Sequence, residues 1–180
     1  MPFTFTPTEI PEVIKIQSQA FADSRGEFSE IYKASEFKAA GLDFNFVQDN
    51  FPLSHKGVVR GLHYQLDPHA QGKLVTVIKG AIYDVAVDIR RDSKTFLKWV
   101  AVELSDKNHC AVYIPPGFAH GFMALEDDTR VLYKMTHNEY APEFERGILY
   151  SDPDLVIPWP LPHPLVSEKD KLHPLLKDIF

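Results

Sequence analysis

The stretch GKLVTVIKGAIYDVAVDI, residues 72–89, decides the fold prediction. Valine, isoleucine and other strand-forming residues fill it on both sides of Lys79-Gly80, where a turn-forming glycine interrupts the run. The stretch therefore predicts two strands that meet at this glycine.

Further strand candidates follow along the chain: WVAVEL (99–104), CAVYI (110–114), GFMAL (121–125) and RVLYKMTH (130–137). The turn-like EDD at 126–128 separates the last two, and we expect these two to form a hairpin. Many short strands separated by turns favour an all-β sandwich or barrel over a parallel α/β sheet.

Helices are expected to be few and peripheral. The segment SEFKAAG has Ser35 as its expected N-cap and Gly41 as its stop, while SEKDKLHPLLKDIF opens on Ser167 and is interrupted by Pro174. IPWPLPHP carries a proline at every second position, which is typical of an extended surface connector. We expect one domain over residues 1–180: N-terminal strands in about 1–50, a barrel core in about 51–150, and the connector with a helical cap in about 151–180.

Composition narrows the classes of function. A net charge of -6 argues against nucleic acid or an anionic membrane surface as the main partner, so an anionic ligand needs a local basic cluster. The single cysteine, Cys110, cannot form an intrachain disulfide, and no apolar run reaches the roughly 18 residues of a membrane span. The first residues also lack the basic and apolar regions of a signal peptide, and the expected compartment is the cytoplasm.

The segment GVVRGLHYQ, residues 57–65, poses a geometric problem. Strand alternation places Arg60 and His63 on opposite faces, although both are candidates for one site. Gly61 lies between them and can host a bulge that rephases the strand. Taken alone, His63 fits a hydrogen-bonded core histidine better than a general base.

IPPGFAHGF contains a P-x-G-x-x-H spacing from Pro115 to His120, which resembles the second metal-binding motif of the cupin superfamily. That superfamily has a double-stranded β-helix, or jelly-roll barrel, which agrees with the strand-rich pattern. Metal-binding cupins also use an H-x-H pair and a later glutamate, but residues 63–65 here read His-Tyr-Gln. Because a catalytic metal centre usually needs three good nitrogen or carboxylate ligands, we predict a cupin barrel without a metal. A metal-dependent cupin oxygenase or isomerase using His63 and His120 is the rival from another class.

An ordered set of motifs gives a more specific resemblance. The set is DSRGEFSE, FVQDNFPLS, GVVRGLHYQ, QGKLVTVIKGAIYDVAVDIRRDSKTF, IPPGFAHGF, LYKMT, DPDLVIPWP and SEKD, in this order from about Phe21 to Asp170. It resembles the dTDP-4-dehydrorhamnose 3,5-epimerase family. The resemblance implies proton exchange at C3 and C5 of dTDP-4-dehydro-6-deoxy-D-glucose to give dTDP-4-dehydro-L-rhamnose. Both carbons flank the C4 ketone, so an enolate can form and no cofactor is required.

The resemblance also implies roles for four residues. His63 is the base, Asp170 hydrogen-bonds it, Lys73 stabilises the enolate oxygen, and Tyr133 is the acid on the opposite face. Each also has an ordinary structural explanation. Lys73 fits a strand-edge lysine, Tyr133 fits a core aromatic, and Asp170 fits the S-x-x-D signal of a helix start.

Substrate contacts are implied in the same way, since a pyrophosphate calls for cations and a thymine for planar and polar partners. The implied contacts are Arg25, Glu30, Gln48, Asp49, Asn50, Arg60, Lys73, His120, Glu145 and Lys169, with Tyr140 stacking on thymine. Between Tyr133 and Tyr140, in THNEY, the chain carries one residue more than the usual pattern. Taken singly, Arg25 and Lys169 fit solvated surface charges.

The family is typically a homodimer with exchanged N-terminal strands, which implies that Arg25 or Glu30 reaches a neighbour's site. A site completed by residues of a second subunit is thus another explanation for how Arg60 and His63 serve one site. Two functional rivals are open as well. One is a sibling epimerase that inverts only C3 or only C5; the other is a sugar-nucleotide-binding cupin, which would need no base, acid or enolate stabiliser.

Overall fold

The computed structural model describes residues 2–180, and most of its ordered elements are strands. In chain order the strands are β1 (Phe3–Pro7), β2 (Ile14–Ser18), β3 (Ala20–Asp23), β4 (Gly26–Ser29), β5 (Phe46–Asn50), β6 (Leu53–Ser54), β7 (Val58–Gln65), β8 (Gly72–Lys79), β9 (Ala81–Asp88), β10 (Trp99–Ser105), β11 (Cys110–Ile114), β12 (Phe118–Ala124), β13 (Thr129–Thr136), β14 (Glu145–Gly147) and β15 (Leu165–Val166). The helices are α1 (Ala34–Ala39), α2 (Glu168–Lys171) and two 3₁₀ turns, Pro142–Phe144 and Leu176–Asp178. None of the described helices has both the length and the apolar character needed to cross a bilayer.

Two sheets pack face to face and confirm the predicted all-β fold. The larger sheet has the order β1-β2-β11-β8-β13-β5, with β6 also paired to β13. The smaller has the order β10-β9-β12-β7-β14, with β15 pairing parallel to β7. Strands β3 and β4 form a separate two-stranded hairpin.

The two strands predicted around Gly80 are β8 and β9, and they belong to different sheets. Gly80 has a φ of 82°, and a Cβ there would lie 2.5 Å from Thr129 Oγ1. Glycine is therefore the residue that lets the chain cross between the sheets in one step. Because of this crossing, β8 and β9 do not pair with each other, and each pairs with strands of its own sheet.

The predicted hairpin of GFMAL with RVLYKMTH is wrong. In the smaller sheet β12 lies between β7 and β9, while in the larger sheet β13 lies between β8 and β5. Since both edges of each strand are already paired, residues 126–128 cross between the sheets instead of closing a hairpin.

The strand β9 is buried on both faces, which explains its almost continuous apolar sequence. Ile82 and Ala86 join the core between the sheets, whereas Val85 and Val87 pack in a second cluster with residues of the C-terminal segment. By alternation, Asp84 shares the inward face with Ile82 and Ala86. A carboxylate thus lies inside the barrel, where the candidate site is found.

The two predicted helices form, with one correction. Helix α1 begins after Lys33, whose carbonyl accepts the Glu36 and Phe37 N–H groups, so Ser35 lies inside the helix and is not its N-cap. At α2 the prediction is confirmed, because Ser167 Oγ accepts the Asp170 N–H at 3.1 Å. Ser167 alone performs the capping, and this frees the Asp170 carboxylate to bond elsewhere.

A bulge in β7 resolves the Arg60 and His63 problem. His63 pairs with His120 and Arg60 with Phe122, so β7 carries one residue more than β12 over this interval. Gly61 has a φ of 122°, and a Cβ there would lie 2.5 Å from the Gly121 Cα. The bulge turns Arg60 and His63 toward one cavity.

The close approach at Gly61 can be tested with two glycine variants. We expect Gly61→Ala to lower the free energy of unfolding by about 3 kcal/mol or more, because strain and a backbone clash add. Gly26 has a similar φ of 132°, but a Cβ there would meet no atom within 4 Å. Gly26→Ala should therefore cost only about 1–2 kcal/mol. Urea unfolding measures both, and equal losses would contradict the proposed contact.

Candidate active site

Two adjoining cavities open inside the barrel, a large one of about 620 Å³ and a small one of about 250 Å³. Four predicted site residues line both cavities: His63, Lys73, Tyr133 and Glu145. Arg60, His120 and Asp170 also line the large cavity, and Gln48, Asn50 and Tyr140 also line the small one. The structure therefore brings together ten of the site residues predicted from the sequence.

His63 and Asp170 form a hydrogen-bonded pair. His63 Nε2 donates to Asp170 Oδ1 at 2.8 Å, and the Gly61 N–H donates to Asp170 Oδ2 at 3.2 Å. Burial raises the pKa of Asp170, but the hydrogen bonds from His63 and Gly61 outweigh it and hold that pKa at about 2. The ionised carboxylate fixes the proton of His63 on Nε2 and leaves Nδ1 as the free ring nitrogen.

Lys73 lies at the start of β8 on the inward face, and its Nζ is 3.4 Å from the His63 carbonyl oxygen. Burial lowers the pKa of its ammonium to about 8, and the charges of Asp84 and Glu145 partly oppose this. Lys73 is thus a cation held in a desolvated place, next to the proposed base.

A second histidine–carboxylate pair lies deeper in the barrel. His120 Nε2 donates to Asp84 Oδ2 at 2.8 Å, and both side chains are almost fully buried. Burial lowers the pKa of His120 despite the opposing charge of Asp84, so the imidazole is neutral at pH 7. Its one N–H is donated to Asp84, so its other ring nitrogen can accept a hydrogen bond, and the ring supplies no charge.

Tyr133 projects inward from β13 and lines both cavities. Burial raises the pKa of its phenol, although the nearby charge of Arg60 lowers it. The phenol therefore stays protonated at neutral pH and can act as a proton donor. Arg60 itself donates from Nε to Ser54 Oγ at 3.1 Å.

Polar side chains line the small cavity in a connected network. Gln48 Nε2 donates to Asn50 Oδ1 at 3.0 Å, and Gln48 Oε1 accepts the Tyr140 N–H at 2.8 Å. The Tyr140 hydroxyl donates to Glu145 Oε2 at 2.7 Å, and Lys169 forms an ion pair with the same oxygen. Despite the additional residue before it, Tyr140 reaches the cavity wall.

Four predicted ligand residues line neither cavity of this chain. One of them, Lys169, lies in a neighbouring cleft and pairs with Glu145 at the cavity wall, while the other three lie farther away. Arg25 lies on the β3–β4 hairpin and pairs with Asp23 at 2.6 Å. Asp49 lies on the outward face of β5, where alternation directs it to Lys134 Nζ at 2.7 Å. Glu30 follows the hairpin and has a buried Oε2 without a hydrogen-bond partner among residues 2–180. The structure does not bring these three to the site within one subunit.

Sequence reasoning missed two residues of the site region. Asp84 carried a detectable signal, because its period-2 relation to Ile82 and Ala86 makes it a polar residue on a core-facing strand position. His173 carried no such signal. It follows α2, and its ring packs edge-on against His63 with 5.4 Å between the ring centres.

The His-Tyr-Gln segment that replaces the H-x-H pair of metal-binding cupins has its own bonding pattern. Gln65 Oε1 accepts the Ala141 N–H at 2.7 Å, and Gln65 Nε2 donates to the His69 carbonyl at 2.6 Å. Gln65 thus supports the loop around Tyr140. His63 and His120 each direct Nε2 to a different carboxylate, so these two nitrogens do not converge on one point.

Comparisons with known proteins agree on one family. The family model described as dTDP-4-dehydrorhamnose 3,5-epimerase matches residues 7–178. The dTDP-4-dehydrorhamnose 3,5-epimerase of Shigella flexneri is 52% identical over 164 residues, which cover 91% of this chain and 90% of that protein.

Two solved structures are similar along nearly their whole length. The dTDP-4-dehydrorhamnose 3,5-epimerase of Bacillus anthracis, with TDP and PPi bound, has a TM-score of 0.94 and 42% identity, covering 97% of this chain and 99% of that one. The Legionella pneumophila dTDP-6-deoxy-D-glucose-3,5-epimerase, in complex with dTDP-4-keto-L-rhamnose, has a TM-score of 0.94 and 45% identity, covering 99% and 95%.

The electrostatics of Lys73 give a direct prediction. We expect Lys73 to titrate near pH 8 in an NMR titration of ¹³C-dimethylated lysines, well below the surface lysines. Asp84→Asn removes a charge that favours the ammonium form, so the Lys73 pKa should fall further. Asp49→Asn, on the outward face, is the matched control and should leave it unchanged. Titration of Lys73 together with the surface lysines would contradict the effect of burial.

Proposed function

The chain belongs to the dTDP-4-dehydrorhamnose 3,5-epimerase family, and we propose that His63 and Tyr133 are the base and acid with which it inverts C3 and C5 of dTDP-4-dehydro-6-deoxy-D-glucose. It is an isomerase of dTDP-L-rhamnose synthesis with a cupin-like jelly-roll fold, and its substrate is a dTDP-linked sugar. We place it in the cytoplasm, in keeping with its single, buried and unpaired cysteine.

The base step follows from the His63–Asp170 pair. Because Asp170 holds the proton of His63 on Nε2, Nδ1 is free to take the proton from C3 or C5. The ionised carboxylate then stabilises the imidazolium that forms. Gly61 orients the same carboxylate through its N–H, which keeps the pair in place while the charge moves.

The enolate requires a positive group near the C4 oxygen, and Lys73 supplies it in this proposal. Its desolvated ammonium interacts more strongly with a developing oxyanion than a solvated one would. Neutral His120 already donates its one N–H to Asp84, so its other ring nitrogen can only accept a hydrogen bond, and we assign it to a substrate hydroxyl in the large cavity.

Inversion requires a proton from the ring face opposite to the base. Tyr133 comes from the larger sheet and His63 from the smaller one, so the two side chains approach the shared cavities from different sheets. The protonated phenol is the donor in this arrangement. Arg60 near Tyr133 can stabilise the phenolate that remains.

The remaining contacts divide between the two ends of the nucleotide. We assign Arg60 to the pyrophosphate, because a guanidinium pairs well with phosphate oxygens. Gln48, Asn50 and Tyr140 offer amide groups and a ring for the thymine base. Glu145 and Lys169 stay at the rim as a neutralised pair.

We propose that the enzyme is a homodimer in which the β3–β4 hairpin completes the partner's site. The hairpin forms its own two-stranded sheet, and Phe21 and Phe28 on it are 50% and 65% exposed. Exposed aromatic rings on a projecting hairpin are typical of an association surface. Such an exchange would carry Arg25 and Glu30, which lie away from the cavities of their own subunit, to a neighbouring one.

One observation carries the proposed mechanism: His63, Lys73 and Tyr133 line the same pair of cavities. The test is incubation with dTDP-4-dehydro-6-deoxy-D-glucose in deuterated water, followed by NMR. Deuterium at both C3 and C5 with the rhamno configuration supports the proposal. Exchange and inversion at one carbon only would identify a monoepimerase.

Tyr133→Phe keeps the ring and removes only the hydroxyl. We expect the rate of inverted product to fall by about 10²- to 10⁴-fold, because the second proton donor is lost. His63 can still remove a proton and return a deuteron to the same face, so label should enter with the starting configuration retained. Formation of the rhamno product at the parent rate would show that another group delivers the proton.

Subunit complementation tests the exchanged hairpin. Arg25→Ala and His63→Ala should each be nearly inactive alone, since each lacks a different part of the same site. A hybrid dimer of the two has one site with both residues intact, so unfolding and refolding an equal mixture should restore about a quarter of the parent activity. Mixing two preparations of His63→Ala is the control. No recovery from the mixture would place Arg25 outside the partner's site.

A further inference from the structure

His173 lies behind the proposed base and outside the two substrate cavities. It borders a surface cleft of about 420 Å³ together with Tyr64, Arg146 and Pro174, and Glu145 lies at the boundary between this cleft and the two cavities. A small ion can therefore approach His173 without passing through the substrate cavities. No step of the proposed mechanism uses this residue.

The ring of His173 is directed at the same carboxylate oxygen as the ring of His63. His173 Nε2 lies 3.4 Å from Asp170 Oδ1, and His63 Nε2 lies 2.8 Å from it. The three ligating atoms all lie within 4.8 Å of one another. The other carboxylate oxygen is held by the Gly61 N–H, so the orientation of Asp170 is fixed.

His173 Nε2 is buried and has no hydrogen-bond partner among residues 2–180, since its approach to Asp170 lacks the alignment of a hydrogen bond. A buried polar atom without a partner is costly, and such atoms often mark a place for a ligand. Gly147 makes this position possible, because any side chain there would collide with the His173 ring.

We propose that His63, Asp170 and His173 form a binding site for a divalent transition metal such as Zn²⁺, and that the bound metal inhibits the enzyme. Two imidazoles and a carboxylate are a donor set that zinc accepts with water in the fourth position. Ligand atoms about 3.3 Å apart surround a tetrahedral zinc. The His173–Asp170 distance of 3.4 Å already fits this spacing, and the His63–Asp170 distance of 2.8 Å would widen.

The inhibition follows from the two nitrogens of His63 and rests on the proposed function. A metal on Nε2 obliges the neutral imidazole to carry its proton on Nδ1, which is the atom assigned to accept the substrate proton. The metal also takes the Asp170 oxygen that supports the base. Substrate contacts at the far ends of the cavities are untouched, so the metal should lower kcat more than it raises KM.

Binding is tested first, without any assay of activity. Zn²⁺ titrated into the chelator-treated 180-residue protein should bind at one site by calorimetry and should raise the Tm. Co²⁺ should give the strong visible absorption of a tetrahedral site. His173→Asn should weaken Zn²⁺ binding at least about tenfold, whereas His55→Asn, an exposed histidine outside the cluster, should not change it. Equal affinity in all three proteins, or no rise of Tm in the parent, would overturn the site.

Activity is then measured with and without Zn²⁺. The parent enzyme should keep full turnover in EDTA, lose at least about tenfold with Zn²⁺, and recover on chelation. His173→Asn should turn over normally in EDTA and resist Zn²⁺ at the same concentration. Zinc binding without loss of turnover would overturn the inhibition alone. Absence of turnover in EDTA would instead count against the metal-free mechanism, while the calorimetry would still decide the site.

Discussion

The contact between the backbones of Gly61 and Gly121 is the constraint on which the site depends. A Cβ on Gly121 would lie 2.7 Å from the Arg60 carbonyl oxygen, and one on Gly61 would collide with the opposite strand. Two facing glycines therefore let β7 and β12 approach closely enough for the bulge to form. The bulge exposes the Gly61 N–H to Asp170, and the same carboxylate bonds His63. One local irregularity thus positions the proposed base and its partner together.

The two histidine–aspartate pairs differ mainly in their access to solvent. The His63 side chain is 29% exposed, whereas that of His120 is 6% exposed. An exposed pair can exchange protons with a substrate, while a buried pair provides a fixed dipole. Burial removes water from the Lys73 ammonium, while the charges of Asp84 and Glu145 favour its protonated form. Lys73 is therefore a weakly solvated cation. The barrel interior thereby supplies a polar environment that is organised before substrate arrives.

The sequence predicted much of this arrangement, and its failures have physical causes. Strand positions and the Ser167 cap were recoverable because they depend on local patterns. The failed hairpin at 126–128 depended on which sheet each strand joins, and that is set by partners distant in sequence. The prediction that Asp49 contacts the substrate was avoidable. Alternation along FVQDN places Asp49 on the face opposite to Gln48 and Asn50. His173 was out of reach, because its position depends on the space above Gly147 and on the path of the chain after α2.

The repeated crossing of the chain between the two sheets has a consequence for folding kinetics. Strand β7 finds its partner in β12, and β8 finds its partners in β11 and β13, so few strands pair with the next one along the chain. Closing the long loops between such strands costs conformational entropy before the pairings add stability. We therefore expect the barrel to close slowly and late in folding. Until then the apolar strands β9 and β12 have open edges, and at high concentration a newly made chain is exposed to intermolecular pairing.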